Sequence, residues 1–450
     1  MSDRERADLV YEKLLRRAGE RWVQPRKERV ARILTLLDDP QRTYRVVHIT
    51  GTNGKTSTAR IIESLLRAHG LRTGLFTSPH LKRFTERIMI DGEPVADAAV
   101  ADAWEEIEPF ADIVDAELEA AGDEPLTFFE LLTVLAFVAA SDAPVDVLVL
   151  EVGMGGSWDS TNTADGDVAV FAPIDLDHAD RLGDTIAAIA EVKAGIIKDG
   201  AAVVSAQQPA EAAEVLRRVA AEKDASIAFE GEQFGLSAQK LAVGGQLISV
   251  RGLAGEYADE YLPLYGAHQG HNAALAIAAV ESLIGGATQA IAGDILTDGL
   301  QDATSPGRLQ LVGIAPTVVV DAAHNPHGAA ALAQSLDDSF DFDEWGLVVG
   351  VLGDKDADGI LERLLPAVAE VFTTAPESDR AADADGLADL VEARGRRASV
   401  HPSLAEAADA AREWASASDR RAVVIAGSVV LAGEALLLAE DEDWKSGWRS

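Results

Sequence analysis

The sequence predicts an α/β protein of two domains, a larger one built on a mainly parallel sheet and a smaller one after it. Three observations carry this. From Arg45 to about Asp321 short apolar runs alternate with amphipathic stretches at helical spacing, and a second series of the same kind continues to Ile425. The chain has 450 residues, more than a single core usually serves. Between the two series Ser305-Pro306-Gly307 breaks a helical pattern, so the domains are read as 1–302 and 303–450.

The elements follow in order. Arg45-Val46-Val47-His48-Ile49-Thr50 is the first buried strand, and an amphipathic helix runs from about Thr56 to His69. Val145–Val152, Val168–Phe171 and Ala201–Val204 are further strands, nearly continuous in apolar residues as strands covered on both faces should be. Residues 231 to 265 are richer in glycine and only weakly strand-like (Leu247-Ile248-Ser249-Val250), a small β excursion before a helix from Asn272 to Ile284. The second series comprises Thr317–Val320, Leu347–Val349, Val371–Thr373 and Ala422–Ile425, interleaved with alanine-rich helices such as Leu404–Ala415. Ligands of open α/β sheets bind beyond the carboxyl ends of strands, so the loops leaving these runs are where chemistry is expected.

Composition narrows the classes. An apolar fraction of 48% excludes a disordered chain. No stretch reaches the roughly 18 uncharged apolar residues of a membrane span, and the charged start Met1–Arg6 does not read as an export signal, so a cytoplasmic protein is expected. With no cysteine, disulfides and thiolate chemistry are excluded and any metal must sit on oxygen or imidazole. Thirty-nine basic against 75 acidic residues give a net charge of −36, spread along the chain. That excess repels nucleic acid and anionic membranes, neither of which is expected as a partner, and it reads as halophilic adaptation, since salt screens self-repulsion. An acidic substrate would need a local basic pocket.

Gly51-Thr52-Asn53-Gly54-Lys55-Thr56-Ser57 joins the first strand to the first helix. A phosphate cradle needs that context: N–H groups at a helix start attract anionic oxygens, glycines allow close approach, and a lysine adds a point charge. The Thr56 hydroxyl is suited to magnesium. The general nucleotide motif would place its first glycine at position 49, which is Ile49 here, so the loop is a shorter form. A plain glycine turn is the bland alternative.

The short form Gly-Thr-Asn-Gly-Lys-Thr resembles the loop of the Mur ligase superfamily, in particular its folylpolyglutamate and dihydrofolate synthases. Further segments agree in order: Leu75-Phe76-Thr77-Ser78-Pro79-His80-Leu81, Glu151-Val152-Gly153-Met154-Gly155-Gly156 with Asp159 and Thr161-Asn162, Asp177-His178, Glu191–Ile196, His268-Gln269 with Asn272, Pro306-Gly307-Arg308, and Asp321–Pro326. The resemblance spans roughly residues 20 to 435. It implies a Mur-ligase-like P-loop domain, a smaller Rossmann-like C-terminal domain, and an ATP-dependent ligase that adds L-glutamate to dihydropteroate, to a folate, or to both, through an acyl phosphate. Relatives being mostly monomeric, a monomer is expected.

The resemblance also implies a site. Gly51 to Ser57, Asn272, Arg308 and Asp321 would bind ATP; Thr56, Glu151, His178 and Lys193 would hold two magnesium ions, Lys193 as a carbamylated lysine; Lys193, Arg308 and His324 would act in catalysis. Ser78, Pro79, His80, Arg83 and Phe128 are the candidate substrate contacts. Independently, Glu151 and Asp321 stand at strand ends, and a guanidinium suits a γ-phosphate through its forked donors. The bland readings are a structural carboxylate for Glu151, a structural histidine for His178, a surface lysine for Lys193, helix caps for Asp321 and Asn325, and core packing for Phe128. Where relatives carry arginine and leucine after the double glycine this chain has Ser157-Trp158, and Trp158 is open to stacking on a flat ligand or to packing. A peptidoglycan-type amino-acid ligase is the nearest rival, against which stands the short stretch of about 45 residues before the first strand. A non-catalytic nucleotide-binding protein is the other.

Overall fold

The structure, a computed structural model, describes residues 1–19, 26–176 and 179–445. The expected metal ligand His178 and its neighbour Asp177 therefore lie outside the described residues. Eight strands form the first sheet: β1 (Arg45–Thr50), β2 (Thr73–Phe76), β3 (Ile88–Ile90), β4 (Glu93–Pro94), β5 (Val147–Glu151), β6 (Val168–Phe171), β7 (Ala202–Ser205) and β8 (Ser226–Phe229). Their order is β4-β3-β2-β5-β1-β6-β7-β8, parallel from β2 to β8 with β3 and β4 as an antiparallel edge. The chain leaves β1 on one side toward β2 and later returns to its other side as β6, so a crevice opens beyond the carboxyl ends of β5, β1 and β6. Register brings Ile49 beside Glu151 and Thr50 beside Phe171.

Both faces of this sheet are covered, which is why its central strands read as largely apolar runs. One face packs on the helices Lys55–Ala68 and Ala267–Gly285, through residues such as Ile62, Leu65 and Leu275. The other packs on helices at Asp3–Leu15, Glu28–Leu36, Asp97–Ala120 and Phe128–Asp142. The β excursion is an antiparallel sheet of β9 (Gly235–Ala242), β10 (Gly245–Arg251) and β11 (Glu256–Leu262).

The second sheet contains β12 (Gln310–Ile314), β13 (Thr317–Val320), β14 (Glu344–Val349), β15 (Glu370–Thr373), β16 (Ala398–Val400) and β17 (Arg421–Ala426). Its order is β12-β13-β17-β14-β15-β16, with β12 antiparallel to β13 and the rest parallel. Ser428 caps the helix Val429–Asp441, and Asn325 caps the helix Pro326–Ser339 by accepting the Gly328 N–H at 2.7 Å. For Asn325 the capping role is thus the observed one.

One ion pair ties the excursion's approach to the helix behind it. His271 Nδ1 lies 2.5 Å from Glu230 Oε1, and this bond raises the imidazole pKa against the opposing effect of burial. A raised histidine contributes stability that is complete below the unfolded value of about 6.5 and is lost as pH climbs through the folded value. His271→Gln should therefore lower the melting temperature most at mildly acid pH and progressively less in alkali. A deficit that grows with pH would contradict the pairing.

Candidate active site

The phosphate loop leaves β1 folded tightly upon itself. A side chain at Gly51 would put its Cβ 2.7 Å from Cβ of Ala172, and Gly54 has φ +84° with Asn272 Oδ1 2.8 Å from where its Cβ would stand. Both positions need glycine. Lys55 Nζ donates to the carbonyls of Gly51 (3.2 Å) and Thr52 (3.1 Å), so its charge lies inside the curl where phosphate oxygens would gather. Thr52 is held from behind, its N–H on the Pro173 carbonyl and its hydroxyl on Asp175.

Across the crevice Glu151 ends β5 almost wholly buried, at 1% exposure. Thr56 Oγ1 lies 3.0 and 2.9 Å from its two carboxylate oxygens. Burial raises the Glu151 pKa, while Lys55, the Thr56 hydroxyl, the Ser78 N–H and Arg308 oppose that rise. The two loops are joined behind this pair, where Thr50 Oγ1 donates to the Gly155 carbonyl at 2.8 Å. Lys193 is buried, with Nζ donating to the Gly51 carbonyl at 2.8 Å, and lines one pocket with Thr50, Lys55, Val152 and Gly153. Its helix is therefore not a surface one at this position.

The second sheet supplies the opposite wall. Arg308 is half-buried and close enough for its charge to act on Glu151, Asp321 and His268. Asp321, at the exit of β13, accepts the N–H groups of Leu309 (2.9 Å) and Ala323 (2.8 Å), so its carboxylate staples the residue after Arg308 to the strand end. His324 Nδ1 donates to the Ala322 carbonyl at 2.9 Å, which fixes its tautomer when neutral. Asn53 of the phosphate loop reaches His327 at 2.9 Å, and His327 lies 3.6 Å from Asp175. His327 was not singled out in the sequence, although it follows Asn325-Pro326 directly.

Other expectations change. Ser57 turns its hydroxyl away from the loop to Ser305, so only its backbone at the helix start faces the phosphate position. Phe128 is 3% exposed and packs in the core against Tyr11 and Arg87; the next residue, Phe129, is the one that lies against Gly153 at the site. Arg83 is bound by Asp97 at 2.9 Å and approached by Asp8 at 3.6 Å, so it already has carboxylate partners. His80 accepts from Arg87 Nε at 2.7 Å and is driven down to about 3 by burial and that cation, a neutral ring. Ser78 remains at the site through its N–H on Glu151, with Pro79 exposed beside it. Trp158 is half-buried and packs against Gly155 and the cluster beneath the acidic loop. Arg60 went unnoticed: one helical turn beyond Thr56, its guanidinium stands within electrostatic reach of Glu86, Glu63 and Glu151, and burial lowers its pKa.

Known proteins agree with this architecture. Residues 49–280 match the Mur ligase middle domain, and residues 307–429 match the Mur ligase glutamate ligase domain. The dihydrofolate synthase/folylpolyglutamate synthase of Mycobacterium tuberculosis is 45% identical over 447 residues, covering 93% of this chain and 92% of that protein. The structure of M. tuberculosis folylpolyglutamate synthase complexed with ADP superposes with a TM-score of 0.92 at 44% identity, over 97% of this chain and 99% of that one. Escherichia coli FolC in complex with DHPP and ADP gives 0.84 at 30% identity, over 97% and 98%.

Proposed function

The chain belongs to the folylpolyglutamate synthase/dihydrofolate synthase family of Mur ligases, and from that premise we propose that it joins L-glutamate both to dihydropteroate and to folates that already carry glutamate. It is an ATP-dependent ligase. The observation that carries the reading is the pairing of Thr56 with the buried Glu151 beside Lys55, with Arg308 facing them from the second domain. We take the domains to divide at 302/303.

The substrate carboxylate attacks the γ-phosphorus of ATP, forming an acyl phosphate and releasing ADP. The glutamate amine then attacks the acyl carbon, phosphate leaves, and the amine gives up a proton. Charge gathers on the transferring group, so the residues required are fixed positive ones: the loop N–H groups, Lys55 and Arg308. Asn272, packed against Gly54, is proposed to bound the nucleotide, and Asp321 and His324 to hold Arg308's loop. The Thr56 hydroxyl and Glu151 carboxylate are hard oxygen donors that fit magnesium, with His178 and a carbamylated Lys193 proposed for a second ion. Magnesium bound there would absorb charge on the phosphoryl oxygens.

ADP release measured with dihydropteroate, tetrahydrofolate and a peptidoglycan precursor, each with and without glutamate, tests the reading. Glutamate-dependent release is expected with the first two only. Stimulation by the peptidoglycan precursor alone would overturn it. Among the described residues no helix is long and apolar enough to cross a membrane; a cytoplasmic monomer without nucleic-acid partners is proposed. Given the net charge of −36, the melting temperature should rise from low to molar KCl. A flat or falling curve would remove the halophilic reading.

A further inference from the structure

We propose that the buried hydrogen bond between Ser57 and Ser305 sets the position of Arg308 over the phosphate loop, which makes Ser305 a positioning residue for phosphoryl transfer. The inference rests on the assignment of Arg308 to the triphosphate.

Ser57 belongs to the helix Lys55–Ala68, two residues beyond the loop lysine, and Ser305 lies at the start of the segment entering the second sheet. Their hydroxyl oxygens are 2.8 Å apart, across 248 residues of chain, and the residues are 4% and 6% exposed. A third partner orients the pair. Gln269 Nε2 donates to Ser57 Oγ at 3.4 Å, while Gln269 Oε1 accepts from Asn272 Nδ2 at 3.0 Å. Gln269 occupies one lone pair of the Ser57 oxygen, and the second lone pair and the hydroxyl proton serve the bond to Ser305, in which either serine can donate. Asn272 in turn packs against Gly54, so the network begins at the phosphate loop and ends at Ser305.

From Ser305 the chain is clamped through Arg308. The Ser305 carbonyl accepts the Arg308 N–H at 3.2 Å, the Gly307 carbonyl accepts the Ala322 N–H at 2.8 Å, and the Gly307 N–H donates to Gln310 Oε1 at 2.8 Å. Leu309 is held at φ 45° by its N–H bond to Asp321. A non-glycine residue in the left-handed region persists only where its surroundings dictate it. These clamps fasten Arg308 to the second domain. The serine pair fastens the same turn to the helix whose start would hold the phosphates. Arg308 is thereby referenced to the loop across the domain junction, and small displacements of a charge-stabilising group matter: about 1 Å is enough to cost on the order of 100-fold.

The test uses the full chain as Ser305→Ala, Ser57→Ala, the double variant, Ser305→Thr and Arg308→Ala. Each of the two single serine-to-alanine variants should lower kcat about tenfold with the acceptor KM unchanged, and Ser305→Ala should bind ADP as wild type by calorimetry. The double variant should be no slower than the slower single, since both remove one bond, and Ser305→Thr should recover activity. Losses that multiply in the double variant, or serine variants with wild-type kcat beside a crippled Arg308→Ala, would overturn the inference alone. Wild-type kcat in Arg308→Ala would instead overturn the assignment of Arg308 and with it the reason for the bond.

Discussion

Arg308→Ala is expected to lose about 10³-fold in kcat while ADP still binds with near wild-type affinity. The guanidinium comes from the second domain, outside the loop and near enough for its charge to act on Glu151, so in the proposed mechanism that charge would bear on the group in transit more than on the nucleotide left behind. Arg308→Lys should fall between, because a point charge keeps the attraction without the fork that matches paired oxygens. A second readout comes from His268, which burial and then the Arg308 cation drive down to about 4. With Arg308 gone the imidazole should titrate at higher pH, as NMR would record. A variant that keeps more than about a tenth of wild-type kcat, well outside the range expected of such an arginine, would remove Arg308 from the transfer step.

Much of this site was legible because it sits where short-range signals are strong. The strands at Arg45–Thr50 and Val147–Glu151 are largely apolar runs, and parallel pairing puts their exits side by side, so the Gly51 loop and Glu151 could be expected to face one crevice. What could not be read was rotation and reach. Phe128 and Phe129 are adjacent in sequence, yet about 100° apart on a helix, and only the fold decides that Phe128 enters the core and Phe129 faces Gly153. Arg83 looked like an available cation because nothing local announces that Asp97 and Asp8 will reach it. Ser305 was visible merely as a helix breaker, its partner Ser57 lying 248 residues away. Arg60 had a signal, the four-residue spacing from Thr56, but its meaning depends on Glu86 and Glu151, carboxylates brought in from outside its own helix.

Glu151→Gln should separate function from stability. The amide keeps the size of the side chain and can still bond the Thr56 hydroxyl, but it removes the charge from the oxygen pair proposed to hold magnesium. Ligase activity should fall on the order of 10²–10³-fold, the several kcal/mol that a metal supplies to a phosphoryl transfer. The ligand-free protein should melt no lower than wild type. Burial raises the pKa of this carboxyl even with Lys55, Thr56, Ser78 and Arg308 arranged around it, which means that its ionised form is held at a net cost in the fold. A neutral isostere relieves that cost, as expected where a buried charge is kept for chemistry rather than for stability. Melting curves with and without magnesium-ADP then complete the comparison: magnesium should raise the nucleotide-bound melting temperature of the wild type and add little to that of the variant. A variant that loses activity only in step with lost folded protein would make Glu151 a structural carboxylate.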